Sequence, residues 1–310
     1  MFKNIYLLAL ILALSSCSLL TTREQMKEEK KSERPQEEVV EKDEDSEWLL
    51  TIQPQVITIR PGEVSLLNIP GDFFKEAKVK CADKEIPFFL RDHRLVAFVS
   101  ETYFSTLKPY SCTYLYKNHK IKIAEVEVLE KTFPSERIRV DKKRVFLSKK
   151  NQARADRERE IKYAAYANSS ERPFFYDAFE LPIRSKVTSI YGSRRVFNKK
   201  KKTQHLGTDY RAAVGVPIKS ANRGKVALSR DFFYTGHTVI IDHGLGIFTT
   251  YGHLSERLVE EGEIVPTGAI IGKAGSTGRS TAPHLHWGVT VNGLAVEGDS
   301  LIRASKRMPK

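Results

Sequence analysis

The stretch "TAPHLHWGV" (residues 281–289) sets two histidines in alternation with leucine and follows them at once with tryptophan. A strand turns successive side chains to opposite faces, so His284 and His286 share one face while Leu285 and Trp287 share the other. The apolar pair can enter a core while both imidazoles face a ligand. Neighbouring segments carry the same signature. "KVALS", "HTVIIDHG", "IFTTYGHL" and "AIIGKAG" are short apolar runs closed by glycine or a turn, with little room for any helix longer than "LSERLVEEG". The C-terminal part of the chain is therefore predicted to be an antiparallel β-sheet.

Six of the eight histidines fall between residues 205 and 286, and their spacing carries more than their number. In "QHLGTDY", His205 and Asp209 are four apart, which aligns them on a helix, but Gly207 and Thr208 favour extended or turn structure. Even spacing on a strand also puts both on one face. "YGHLS" supplies His253 at the predicted end of the strand "GIFTTYGHL". His205, Asp209, His253, His284 and His286 thus follow one another at intervals of 4, 44, 31 and 2 residues. His93 and His119 lie in polar turns without such partners and read as solvated surface residues.

These segments resemble the lysostaphin-like, or LytM-type, zinc metallopeptidases that cut peptide bonds in bacterial peptidoglycan. The resemblance runs over residues 178 to 300 through "SIYGSRR", "HLGTDYRAAVGVPIKSANRGKV", "GHTVIIDHGLGIFTTYGHLS", "VPTGAIIGKAGSTGRSTAPHLHWGV" and "VNG". Ala282 stands where the family usually has glycine before the proline of the last motif. The resemblance implies that His205, Asp209 and His286 bind one zinc per chain, with His284 and His253 as catalytic histidines. His284 is the favoured general base because it shares a strand face with a ligand; which of the two performs which step stays open. The donor set agrees with this, since two neutral imidazoles and one carboxylate leave zinc a residual positive charge and an open position, as in catalytic sites. His237 and His243 match positions that serve the fold, and Asp242 reads as a turn former.

The chain begins "MFKNIYLLALILALSSC", with one basic residue and an apolar run shorter than the about 20 residues of a membrane span. Leu14, Ser15, Ser16 and Cys17 resemble the bacterial lipobox, so residues 1–17 are expected to be a lipoprotein signal peptide ending at a lipidated Cys17. With Ser18 next, the expectation is export and anchoring to a bacterial membrane, the outer membrane facing the periplasm. Residues 18–47 hold six Lys/Arg and eleven Asp/Glu, a net of −5. Lys3 is the only charge before them, so the overall +13 leaves +17 on residues 48–310. The acidic segment lacks apolar residues for a core and reads as a flexible tether reaching roughly 30 Å. No nucleic-acid motif accompanies the basic body, and an exported chain makes that partner class unsuitable.

Residues 48–131 alternate short β-like runs with turns and predict a small β-sandwich, Ig-like in size, before the peptidase domain at 178–303 and a basic tail at 304–310. With Cys17 set aside, Cys81 and Cys112 form an even pair in an exported chain. A disulfide there would contribute ~3 kcal/mol by constraining the unfolded chain; two buried free thiols are the other reading. Residues 132–177 are expected to be a helical linker, with Ser148 capping a helix over Lys149 to Ala167 that lies outside the final domain. The basic run "RRVFNKKKKTQH" reads either as an attractor of anionic cell-wall or phospholipid groups or as a soluble loop. The glycines of "GKAGSTGRSTAPH" permit tight turns, and no helix follows to make a phosphate cradle. Ser276, Thr277 and Ser280 are free to bond an extended peptide.

These readings predict a mainly β zinc endopeptidase that hydrolyses peptide cross-links of peptidoglycan. The alternative is a non-enzymatic peptidoglycan-binding regulator of another hydrolase, a role taken by relatives whose site residues are lost. The resemblance further implies intramolecular inhibition, with the N-terminal domain or linker helix covering the groove.

Overall fold

The computed structural model describes residues 44–138, 147–197 and 201–310. Cys17, the signal segment and nearly all of the 18–47 tether lie outside the described residues.

The N-terminal alternation produces β1 (Gln55–Ile59), β2 (Val64–Pro70), β3 (Lys78–Cys81), β4 (Lys84–Ile86), β5 (Phe88–Leu90), β6 (Arg94–Ser100), β7 (Tyr110–Tyr116) and β8 (His119–Val128). They make a five-stranded sheet, β1-β8-β7-β3-β4, and a three-stranded one, β2-β6-β5. Ile57, Val79, Tyr114 and Val126 of the first pack with Leu67, Ile69, Leu95 and Val99 of the second in one apolar core. Cys81 and Cys112 stand directly opposite in the β3–β7 register and are joined by a disulfide. His93 is exposed and pairs with Asp72.

The rest of the chain forms β9 (Ser135–Ile138), α1 (Lys149–Ala167), β10 (Val187–Ser189), β11 (Arg194–Phe197), β12 (Lys201–Gln204), β13 (Thr208–Arg211), β14 (Pro217–Lys219) and β15 (Gly224–Phe232). It continues with β16 (Gly236–Asp242), β17 (Ile247–Arg257), β18 (Ile264–Val265), β19 (Ile270–Ala274), β20 (His284–Val291), β21 (Leu294–Val296) and α2 (Gly298–Ser305). The main sheet runs β10-β13-β20-β17-β16-β15-β18 and is antiparallel, as predicted. A three-stranded sheet, β12-β11-β9, stands beside it. The segment expected to be a helical linker therefore also supplies a strand, β9, parallel to β11.

The two halves share a sheet. Along β2 and β6, Leu67, Ile69, Leu95, Ala97 and Val99 face the N-terminal core. Val64, Leu66, Val96 and Phe98 face the other way and join Phe175, Phe179, Trp287 and Leu301 in the C-terminal core. These side chains are almost fully buried, each worth about 1.5–3 kcal/mol of transfer free energy. Polar contacts follow the same seam, with Ser300 Oγ accepting from Val64 N at 3.0 Å and Asn292 Nδ2 donating to the Phe98 carbonyl at 2.8 Å.

Helix α1 has the predicted bounds and cap, Ser148 Oγ accepting from Asn151 N at 3.3 Å. Its expected place outside the final domain is corrected. Ala165 and Tyr166 pack onto Leu228, Phe232, Ile240 and Phe248, and Arg154 reaches Asp231 at 2.8 Å. The mainly polar sequence of α1 hid this, because much of its docking is polar, with Glu158 Oε2 also accepting from Phe233 N at 2.7 Å. Asp242 does more than form a turn. Its carboxylate accepts from Ser169 Oγ, Ser170 N and Gly244 N at 2.7–3.0 Å, tying the end of the helical segment to the sheet.

His243 serves the fold. It is fully buried, with Nδ1 donating to the Arg223 carbonyl at 2.9 Å and Nε2 2.7 Å from the Thr249 hydroxyl. Burial, opposed in part by the Arg223 bond, pushes its pKa down to about 4. The folded value lies below the unfolded one, so its contribution to stability is full above the ordinary histidine pKa and is lost as pH falls towards 4. The loss is about 3 kcal/mol. Urea unfolding between pH 7 and pH 4.5 should show a shallower pH slope for His243→Gln than for the wild type. Thiol counting on denatured, unreduced protein should find neither Cys81 nor Cys112 free.

Candidate active site

Strand pairing assembles the site. β13 and β20 are antiparallel with Asp209 opposite His286, and β17 places Gly252 opposite His286 on the other side. Residues directly opposite point to the same face of a sheet, so the Asp209 carboxylate and the His286 imidazole meet. Leu285 and Trp287, on the reverse face, are buried to 0 % and 1 % exposure and anchor β20 in the core.

His205 reaches the same point by another route than the shared strand face expected for it. It lies between β12 and β13, after which "LG" turns the chain into the strand that carries Asp209. Its backbone is clamped by Gly192 N donating to its carbonyl at 2.7 Å and its own N–H donating to the Ser193 carbonyl at 3.0 Å. Its Nδ1 lies 3.1 Å from the Ile190 carbonyl, which can only accept, so Nδ1 carries the proton and Nε2 presents a lone pair. That Nε2 lies 3.0 Å from Asp209 Oδ1 and 3.2 Å from His286 Nδ1, and His286 Nδ1 lies 2.9 Å from the same oxygen. Among the described residues this is the one group of three or more donor side chains close enough to hold a metal ion.

Charge and protonation fit zinc. Burial opposes ionisation of Asp209, but the hydrogen bonds and charges of His205 and His286 outweigh it and hold the carboxyl well below the usual carboxylate range. Burial lowers the pKa of His286, with the Asp209 bond acting against it. An anionic carboxylate with two imidazoles turned towards it is a donor set able to hold a catalytic zinc, to which the imidazoles would bind as neutral rings. Gly207 keeps this geometry open: a Cβ there would stand 2.5 Å from His286 Cε1.

The two remaining histidines line the same face without joining the triangle. His284 Nδ1 donates to the Ala282 carbonyl at 2.8 Å, and its Nε2 lies 3.8 Å from Asp209 Oδ1. Alanine in place of the family's glycine leaves that orienting carbonyl intact. His253 lies within β17, not at its end. Its φ is +59°, its N–H donates to the Thr235 carbonyl at 2.6 Å, and its Nδ1 donates to the Thr277 carbonyl at 2.8 Å. Burial, with the nearby His286 and His284, brings its pKa down to about 4 against the Thr277 bond. The His253 and His284 rings are 4.5 Å apart, each with its proton on Nδ1 and a lone pair on Nε2. His237 sits apart from this group, its Nδ1 3.3 Å from the Ser255 carbonyl.

Several orienting groups escaped the sequence reading. The carbonyls of Ile190, Thr277 and Ala282 leave no residue-type signal, because any residue supplies one. Thr277, expected to meet a peptide, already holds His237 N at 2.9 Å and the Leu254 carbonyl at 2.7 Å through its hydroxyl. Tyr191 is buried, packs over Gly62 of the N-terminal half and donates to the Ala295 carbonyl at 2.8 Å. The N-terminal half thereby fixes the short segment whose carbonyl orients His205.

Fold and donor set together describe one candidate metal site on the face of an antiparallel sheet. Residues 203–297 match the model of peptidase family M23, and the chain carries an M23 domain of the LytM type. The peptidoglycan DD-endopeptidase ShyA of Vibrio cholerae is 39% identical over 118 residues, 37% of this chain and 27% of that protein. The DD-carboxypeptidase/endopeptidase Mpg of Neisseria meningitidis is 41% identical over 92 residues, 30% of this chain and 21% of that protein. The chain thus spans about a quarter of the length of these curated relatives. A Pseudomonas aeruginosa crystal structure assigned to peptidase M23 aligns with a TM-score of 0.62 at 26% identity, over 81% of this chain and 96% of that one.

Gly207→Ala should displace the His286 ring and press on the Trp287 carbonyl, 2.9 Å from the added Cβ, a local shift of β13 against β20. Zinc affinity by competition with a chromophoric chelator should fall at least tenfold, with far-ultraviolet circular dichroism unchanged.

Proposed function

We propose that this chain is a zinc metalloendopeptidase that hydrolyses the peptide cross-links of peptidoglycan. The observation that carries the reading is the convergence of His205 Nε2, Asp209 Oδ1 and His286 Nδ1 within 3.2 Å, beside two histidines that keep free lone pairs. Zinc held by these three residues supplies Lewis-acid polarisation of a carbonyl and lowers the pKa of water towards about 7. The chain's own residues handle the protons. His284 Nε2, 3.8 Å from Asp209 Oδ1, takes a proton from the attacking water and passes that same proton to the leaving amine, and His253 Nε2 stands beside it as a second proton acceptor. The Ala282 and Thr277 carbonyls hold both imidazoles in the tautomer that this requires.

Peptidoglycan is the substrate of the relative ShyA, and an extended peptide suits an open sheet face. A regulator without activity is disfavoured because all five positions are filled and oriented. Export, a lipid anchor at Cys17 and a reaching tether remain part of the proposal and agree with a cell-wall substrate. Helix α1 bears on access. Phe248 and Gly252 alternate to the same face of β17, so Tyr166, 4.7 Å from Phe248, rests on the face that carries the site. The helix bounds that face and is the element best placed to restrict it.

The purified chain should contain about one zinc and release peptide fragments from purified sacculi, read by mass spectrometry. His284→Ala should retain zinc yet lose at least a hundredfold in kcat. A zinc-loaded wild type no more active than His284→Ala would reject the enzyme reading, and sacculus binding with activation of a separate hydrolase would favour the regulator.

A further inference from the structure

The basic run before His205 contains two adjacent arginines, and the strand separates their tasks. Arg194 turns towards the N-terminal half, its Nε donating to the Tyr103 hydroxyl at 2.7 Å. Arg195 turns to the opposite face, where Nη2 donates to Ser189 Oγ at 3.0 Å and lies 3.9 Å from Asp209 Oδ2. Ser189 Oγ is itself 3.3 Å from His205 Nδ1. One guanidinium therefore touches, directly or through one hydroxyl, two of the three residues of the metal triangle.

We infer that Arg195 and Ser189 form a positioning pair for the metal centre, acting through His205 and Asp209 without touching substrate. The geometry assigns each a task. Asp209 directs Oδ1 at both imidazoles, which leaves Oδ2 as the free end of a carboxylate able to rotate. The Arg195 charge lies beyond hydrogen-bond reach, but with the Arg195 and Asp209 side chains only 32 % and 11 % exposed solvent screens it weakly, so it attracts Oδ2 and opposes that rotation. Ser189 Oγ accepts from Arg195 and stands as a second acceptor beside the Ile190 carbonyl for His205 Nδ1–H. Both groups lie in one short segment, and Tyr191 anchors that segment beneath Gly62. The imidazole is thus held in the tautomer that frees Nε2, a task that outer groups commonly perform at metal sites and whose loss costs roughly 10–100-fold in affinity.

A guanidinium near a cation also repels it, so the sign of the effect is informative. Were Arg195 there only as surface charge, Arg195→Ala would bind zinc more tightly. As a positioning residue it weakens binding when lost. The test measures zinc affinity on the full chain by chelator competition, together with the absorption spectrum of the cobalt-substituted protein. The variants are Arg195→Ala, Ser189→Ala, Ser189→Thr and the double alanine. Each single alanine should weaken zinc binding about 10–100-fold and shift the cobalt bands. The double should lose less than the product of the singles, because the two act as one network. Ser189→Thr, which keeps the hydroxyl on a strand, should recover wild-type affinity and spectrum.

Unchanged or tighter binding in Arg195→Ala overturns the assignment, as does full multiplicative loss in the double or failure of Ser189→Thr to rescue. The inference rests on the metal reading of His205, Asp209 and His286. A wild type that binds no zinc overturns both, whereas a wild type that binds zinc beside indifferent variants overturns this assignment alone.

Discussion

A buried, ionised carboxylate is the constraint around which the C-terminal lobe is arranged. Taking such a group out of water is costly unless it is bonded and charge-compensated. Asp209 meets this by holding Oδ1 within 3.0 Å of both His205 and His286. Those bonds require β13 and β20 in the register that sets Asp209 against His286. A slip of one residue would turn either Asp209 into the core or Leu285 out of it, so the electrostatics of the site and the packing of the sheet select the same pairing.

The N-terminal half belongs to that arrangement. Because β2 and β6 have an apolar residue on nearly every position, they bury both faces and serve two cores at once. Tyr191 extends the seam to the site: its ring is buried over Gly62 while the carbonyl before it, from Ile190, orients the His205 imidazole. A site that needs donors held to fractions of an ångström is thus supported by residues more than a hundred positions away in sequence.

Alternation made much of this legible in the chain itself. "HLH" pointed to a strand with both imidazoles on one face, which β20 has, and the histidines and Asp209 spread between residues 205 and 286 do converge in space. The same patterning revealed the antiparallel sheet and the N-terminal sandwich. What stayed hidden depends on groups that have no residue signature or on contacts between distant segments. Backbone carbonyls orient His205, His253 and His284. The sharing of β2 and β6 required knowing what lies against their second face, and the docking of α1 is in large part polar. The four-residue spacing of His205 and Asp209 suits a turn as well as a strand, and of the two the chain has the turn, with His205 just before β13.

His253 shows where folding and chemistry pull apart. At φ +59° its backbone is in a region that L-residues enter at a cost of order 1–3 kcal/mol, and which glycine enters freely. Inside β17, a glycine would serve the sheet better, and Gly252 is already its neighbour. A histidine there trades stability for the placement of a ring beside His284. The strand is therefore a record of two demands, and this position is where selection for a rigid fold alone would erase the imidazole.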